Sequence, residues 1–564
     1  MVSASLHQCG EREPNASAPS SFASAQKSSE TMGFPGISGS AGPCRARALL
    51  VHHGDVTMTL SARARGPLRS VRSLDATARV ALLAAMVFTV LAFASNGFLW
   101  QDEYAHLLFS KGVWSHPEVA ADLWGRPLAT LVYAVPALAG LWAARLVTIA
   151  LAVLAVLWTG RAAHRRGLSG PVTAAAMLAQ PIFSSFAFGA LPGTLFAALL
   201  ARLLLEDARG RHRSAAIVAA LLPLARVEGV LIVVVYALTL WRRGERRLAA
   251  VPFAGLAAWN LAGWAVTGEL LFLLTANPYP AVGSIYPTAG FAYLGRIMPV
   301  AAGVGVFVLA QAGLVARARR PELHHAFGAI TAVFLILVWG VPLFASTPTP
   351  VYLIGFAPLL ALYAAEGWAW LREHRARLKP FAMLLLAEAF VLVPHRTLGA
   401  GVRHLAAPVA GTERIVLAAG FALIAGAMLV AARRPRALAA GLIVAAALHV
   451  GVVVAPVRAT THERLAAEAA AWYRAEASGR LMVAVAPDVA WFAGLDPFTD
   501  WEPGSLPADP SGLHRLPAGT LLAWDSVFSP REGRTSLTAL HDGGWVEIIA
   551  FTGDGTEIRI LERR

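Results

Sequence analysis

The chain has 564 residues, 57% of them apolar and only 15% charged, with a net charge of +14. A soluble domain carries about a quarter charged residues, so an ordinary soluble protein is excluded, and the apolar residues fall in blocks suited to a bilayer core of about 20 residues per helix. The surplus of cations does not indicate nucleic acid, because the basic residues sit in short clusters between apolar blocks, the positive-inside pattern of cytoplasmic loops.

Residues 1–75 are basic and rich in Ser, Gly, Ala and Pro, which predicts a disordered cytoplasmic tail. This tail opens with no apolar stretch of the signal-peptide kind, and Met58 begins a more usual basic leader. Cys9 and Cys44, the only cysteines, both lie in it. Disulfide and thiol–metal chemistry are therefore unavailable to the rest of the chain.

The first span is expected over Ala78 to Phe98. Arg63, Arg65, Arg69, Arg72 and Arg79 precede it and place the N-terminus in the cytoplasm, so residues 98–140 form a first outer loop. Leu128 to Leu138 is too short to span and should lie in the outer surface. Spans and basic loops then alternate, from Leu141 to Thr159 and Pro171 to Phe188 onward to Leu438 to Val454. This threading puts about two dozen Lys and Arg inside against about eight outside. The fold class is an all-α polytopic membrane protein with about 11–13 spans in residues 76–457, several of them short enough to be broken or half-helices. Residues 458–564 differ in kind and read as a small extracytoplasmic α/β domain. THERLAAEAAAWYRAEA predicts a surface helix, LMVAVA and TLLAWDS predict strands, and WVEIIAF, TGDGT, EIRIL predicts a hairpin.

Paired acids, Asp102 and Glu103, follow the first span directly. Adjacent helical residues point about 100° apart, so one can face a cavity while the other holds a basic neighbour. A carboxylate there suits general-base work or a divalent cation; it equally suits a solvated helix start. The same loop carries Asp122 and then GRPL, Gly125 to Leu128.

An acidic pair after the first span, a loop closing in Gly-Arg-Pro, and a helix opening GLWAARL (Gly140 to Leu146) together resemble the GT-C glycosyltransferases. Within that superfamily the likeness is nearest to the protein O-mannosyltransferase and lipid A aminoarabinose transferase type. RVEG, Arg226 to Gly229, is similar to the R-P-E/D-G turn of that family, with Val227 in place of the proline. These motifs cover Ala78 to Trp241; beyond that the likeness is of architecture. The resemblance implies transfer of a sugar from a polyprenyl-phosphate donor to a lipid, glycan or protein acceptor on the outer side. It makes Asp102 the catalytic candidate, Glu103 its helper and Asp122 a third acid, with a divalent metal (Mg or Mn) as a possible assistant and no certain cofactor.

A leaving phosphate calls for guanidinium groups, which pair with it bidentately. The outward candidates are Arg126, Arg226, Arg296, Arg396 and Arg403, with His395 beside Arg396; contact with lipid headgroups is the alternative role. Arg226 with Glu228 is either a substrate contact or a local ion pair. Asn277 and Tyr279 are candidate acceptor contacts in a tyrosine-bearing outer loop that also suits the membrane interface. Glu388 is an acid inside a span, expected either protonated or paired with an arginine such as Arg145. A transporter or flippase is the rival class, and a membrane scaffold with a partner-binding tail a third; the acids cluster at one surface rather than at the midplane, and no internal repeat is evident.

Overall fold

The computed structural model describes residues 75–275, 293–318, 350–392, 412–431, 436–498 and 516–564, apart from 531, 532 and 534. Among the described residues, four helical stretches are long and apolar enough to cross a membrane: Ala76–Ala94, Leu141–Arg165, Leu248–Thr267 and Leu353–Glu373. Shorter apolar helices accompany them, Pro127–Leu138, His212–Ala225 and Gly229–Arg242 among them. The expected span Phe327 to Phe344 lies outside the described residues.

Helix α1 (Ala76–Ala94) starts where Asp75 caps it, accepting the Ala78 N–H at 2.6 Å. After a break at residues 95–99 comes α2 (Trp100–Gly112), then a 3-10 turn at Pro117–Ala121 and α3 (Pro127–Leu138). Helix α4 (Leu141–Arg165) runs back antiparallel to α1: Trp142 stacks on Phe93 at one end, and Gly160 meets Thr77 at the other. With 25 residues, α4 crosses the whole bundle, about 37 Å at 1.5 Å per residue.

The expected span Pro171 to Phe188 is broken into α5 (Gly170–Leu178) and α6 (Pro181–Phe186). Pro181 has no N–H to continue the ladder. The Gln180 side chain covers the break, donating to the carbonyls of Ala176 at 3.2 Å and Ala357 at 2.9 Å. Helix α7 (Pro192–Ala208) is the axis of the bundle, buried along most of its length and packed between α4 and α8 (His212–Ala225). Helix α9 (Gly229–Arg242) follows the turn Arg226 to Glu228, and α10 (Ala254–Thr267) follows a 3-10 entry at Leu248–Phe253. Further along, α11 (Val304–Ala318) and α12 (Ala357–Glu373) approach closely. A Cβ on Gly313 would sit 2.1 Å from the Tyr363 carbonyl and one on Gly367 1.9 Å from that of Leu309. This is the small-residue contact that lets apolar helices associate without a water-driven force.

The C-terminal segment is α/β. Strands β1 (Met482–Ala484), β2 (Leu521–Asp525), β3 (Trp545–Gly553) and β4 (Thr556–Arg563) form one sheet in the order β1-β2-β4-β3. The β1–β2 pair is parallel and the others antiparallel. The hairpin turns through Asp554 (φ 47°) and Gly555 (φ 74°), both left-handed as a tight two-residue turn requires. Period-two alternation divides the core: Met482, Ile558 and Ile560 face α13 (Thr461–Glu476), while Val483, Leu522, Trp524 and Trp545 face the other side. Helix α13 is thus more than a surface helix, since Leu465, Ala466, Ala469 and Tyr473 are buried against the sheet.

Candidate active site

Helix α2 presents two faces. Asp102, in its first turn, is exposed, and Glu103 beside it is completely buried. Glu103 Oε2 accepts the Leu99 N–H at 2.6 Å and lies 3.4 Å from the Arg145 guanidinium; Oε1 accepts the Ala190 N–H at 2.8 Å. Arg145, also buried, donates to the Gly97 carbonyl at 2.6 Å and lies over the Phe98 ring at 5.8 Å. This corrects Glu103 as catalytic helper. Both its oxygens are bound inside the protein, where they tie α2, α4 and the turn before α7 together. It also corrects the pairing of Arg145 with Glu388, whose carboxylate instead accepts from Gln311 at 2.9 Å.

His106, one turn beyond Asp102, lies on the same face of α2, as i and i+4 positions do. The sequence reasoning missed it, although that spacing was the available signal. Its ring stacks on Trp124 with centroids 4.5 Å apart, and Nδ1 has no hydrogen-bond partner among the described residues. Burial pulls its pKa down to about 3, and the guanidiniums of Arg126 and Arg226 push the same way, so the imidazole is neutral. These two arginines, about 100 residues apart in sequence, thus both lie near enough for their charge to act on one ring.

Arg126 reaches that position through a strained backbone. Its φ is 64°, and Pro127 follows as the first residue of α3. Left-handed geometry at a bulky residue costs on the order of 1–3 kcal/mol and persists only where the surroundings impose it. The guanidinium donates to the Leu123 carbonyl. Asp122 closes the turn, accepting the Gly125 N–H at 2.6 Å. Burial raises the Asp122 carboxyl above the usual carboxylate range, against the amides of Gly125 and Trp124. Gly125 admits no side chain without displacing Phe109, whose ring would lie 2.6 Å from its Cβ.

Arg226 and Glu228 form a bidentate pair in the turn between α8 and α9, with contacts of 2.6 and 3.3 Å. Against the burial that would raise it, Arg226 holds Glu228 below the usual range, and Arg126 adds to the effect. Asp122 and Arg126 thus share the turn whose Trp124 stacks on His106, and Arg226, paired with Glu228, lies near enough for its charge to act on that ring, one turn from Asp102. Arg296 lies on the helix Tyr293–Ala302, its side chain outside the described residues; Asn277, Tyr279, His395, Arg396 and Arg403 also lie outside them. Among the described residues no three His, Cys, Asp or Glu side chains come together as a metal cage.

The chain is a bundle of apolar helices with an acid-bearing helix after its first long one and an α/β layer at its C-terminus. Two solved structures share this architecture. One is ArnT from Cupriavidus metallidurans bound to undecaprenyl phosphate, 15% identical with a TM-score of 0.53, covering 86% of this chain and 97% of that one. The other is ArnT of the same organism in the apo state, 17% identical with a TM-score of 0.53, covering 86% and 98%. At such identity the likeness is one of fold. No family model and no curated protein matches the sequence.

Proposed function

We propose that the chain is a membrane glycosyltransferase that moves a sugar from a polyprenyl-phosphate donor to a hydroxyl or amine acceptor on the extracytoplasmic side. What supports this is the placement of Arg126 two residues from Trp124, whose ring stacks on His106 one turn from exposed Asp102, with Arg226 near enough for its charge to act on the same imidazole. The ArnT structure with undecaprenyl phosphate supports a lipid-linked donor. Hexosyl transfer is the specific activity inferred.

In this reading Asp102 accepts the proton of the acceptor as its oxygen or nitrogen attacks the anomeric carbon. The bond from that carbon to the phosphate oxygen breaks, and the configuration inverts. Arg126 and Arg226 stabilise the charge that develops on the leaving phosphate, where fixed donors act more strongly than water. Neutral His106 keeps a third cation from competing for the phosphate. Clustering of these groups at one end of the bundle favours transfer over transport, which places charged groups near the midplane.

Orientation follows from the basic connections. Arg166, Arg209 and Arg243 lie at the ends of α4, α7 and α9 remote from Asp102, and the positive-inside rule assigns that end to the cytoplasm. The test is transfer of radiolabelled sugar from polyprenyl-phosphate donors in membranes. Asp102→Asn should lower transfer by about 10²–10⁴-fold, the usual worth of a general base; transfer equal to the unmodified chain removes Asp102 from this role.

A further inference from the structure

The break between α1 and α2 is held by hydrogen bonds from two directions. The amides of Asn96 and Gly97 both donate to the Val457 carbonyl, at 3.0 and 3.2 Å. The Phe98 amide donates to Glu463 at 2.9 Å and the Leu99 amide to Glu103 at 2.6 Å. Three of these four amides are therefore satisfied by residues 457–463, on the approach to α13 and in its first turn, and one by the membrane core. The strands of chain run so close that a Cβ on Gly97 would sit 2.5 Å from the Ala459 nitrogen.

Glu463 is the pivot. Its Oε2 accepts the Thr460 N–H at 2.6 Å, and Thr460 Oγ1 accepts the Glu463 N–H at 3.1 Å, a capping box that starts α13. A capping glutamate ordinarily spends its second oxygen on water. Here Oε1 takes both the Phe98 amide and the Tyr104 hydroxyl, each at 2.9 Å, and the side chain is 6% exposed. Tyr104 lies two residues from Asp102 and stacks on Phe98 with centroids 3.5 Å apart. Trp491 and Phe492 of α14' (Pro487–Ala493) close over the same pair, at 6.1 and 5.6 Å. The first turn of α2 is thus clamped from the α/β layer by a single carboxylate.

We infer that Glu463 is a positioning residue for the transfer site: by joining its own helix cap to the Phe98 amide and Tyr104 hydroxyl, it sets where α2 begins and so where Asp102 points. The α/β layer then acts as part of the active-site frame. This inference rests on the functional reading above for its catalytic consequence, though the clamp itself is read independently of activity. A buried carboxylate with three donors leaves all three unsatisfied when it is removed, and the short segment they hold is otherwise tied through Ser95, Asn96, Val457, Glu103 and Arg145.

The test uses the full chain in lipid nanodiscs, with Glu463→Ala, Glu463→Gln and, as control, Glu468→Gln at an exposed site on the same helix. Hydrogen exchange over residues 96–112 should be about tenfold faster in Glu463→Ala, as expected for local opening. The kcat for transfer should fall by about tenfold with KM for the lipid-linked donor within about twofold, the signature of misplaced chemistry with intact binding. Glu463→Gln keeps an acceptor for Phe98 and Tyr104 but sets an amide N–H against that of Thr460, so it should restore most of both losses; Glu468→Gln should change neither. Unchanged exchange in Glu463→Ala overturns the clamp. Faster exchange with unchanged kcat overturns the positioning role. Should Glu463→Ala fail to fold, Glu463→Gln carries the test, with exchange and kcat each expected to move about threefold and values equal to the unmodified chain overturning the inference. An unmodified chain that transfers no sugar overturns the functional reading and the positioning role with it, and leaves the exchange result to judge the clamp.

Discussion

Both ends of the bundle carry arginines beside carboxylates, yet they are put together differently. At the end remote from Asp102, buried Glu206 is ringed by Arg202 at 3.0 Å, Arg209 at 2.8 Å and Arg211 at 3.8 Å. Asp207 next to it meets Arg243 at 2.7 Å and Arg166 at 4.0 Å. Cations there surround the acids, and Arg166, Arg209 and Arg243 stand at the C-termini of α4, α7 and α9, where the dipole favours them. At the Asp102 end Arg226 pairs with Glu228 at 2.6 Å, and buried Glu103 lies 3.4 Å from Arg145. Asp122 is served by a backbone amide and Arg126 by a carbonyl. Asp102 stays exposed. The same residue types build a fastening in one place and, in the function proposed, a surface for a charged ligand in the other.

The comparison breaks most sharply on Asp102→Asn, whose loss of transfer should come with an unchanged Tm. Glu206→Ala should do the reverse. Three arginines lose their common partner, stability falls by about 2–3 kcal/mol, and transfer per folded molecule stays the same; thermal melts beside transfer assays check both. A loss of catalysis in Glu206→Ala at full stability would erase the distinction between the ends. Next comes the buried pair of the site end: Glu103→Ala leaves Arg145 without its partner and should cost about 3–5 kcal/mol, read as a failure to accumulate folded protein.

Arg126→Gly sharpens the contrast, because its backbone is strained at φ 64°. Glycine adopts that conformation freely, so the variant should be about 1 kcal/mol more stable while transfer falls and KM for the donor rises. A stability gain without loss of transfer would remove Arg126 from the phosphate clamp.

Two histidines give a smaller, pH-dependent test. Against the burial that opposes its charge, hydrogen bonds to Asp488 and Asp525 raise His462 to about 10. With a folded pKa above the unfolded one, its contribution is fully present below about 6.5 and is lost as pH rises through about 10. His106, lowered to about 3, has the opposite sign: the unfolded chain takes up the proton first, so stability declines as pH falls from about 6.5 towards 3. Melts across pH should lose the alkaline slope in His462→Gln and the acid slope in His106→Phe. Smallest of all, Arg211→Ala, whose side chain is 64% exposed, should change stability by under about 0.5 kcal/mol.

Much of this was legible in advance. Hydropathy blocks identified a helical membrane protein, the TGDGT turn identified the terminal hairpin, and the adjacent acids, Gly-Arg-Pro and RVEG marked the positions that now converge. Pro181 announced a break that the span Pro171 to Phe188 had smoothed over. His106 was missed because its spacing of four from Asp102 is a weak signal by itself; the stacked Trp124 and two distant arginines give it weight only in the fold. The division of labour between Asp102 and Glu103 was also hidden, since one donor that occupies Glu103 is the Ala190 amide, 87 residues away.

The amino-acid sequence alone determined the solvent of each segment and the local geometry, because apolar length, charge placement and turn residues act over a few neighbours and need no knowledge of the rest of the chain. Which carboxylate would be buried, which arginines would meet, and that Glu463 would reach from the C-terminal layer to the start of α2 were decided only by tertiary structure. A hydrogen bond at 2.9 Å between residues 365 positions apart depends on the packing of every element between them.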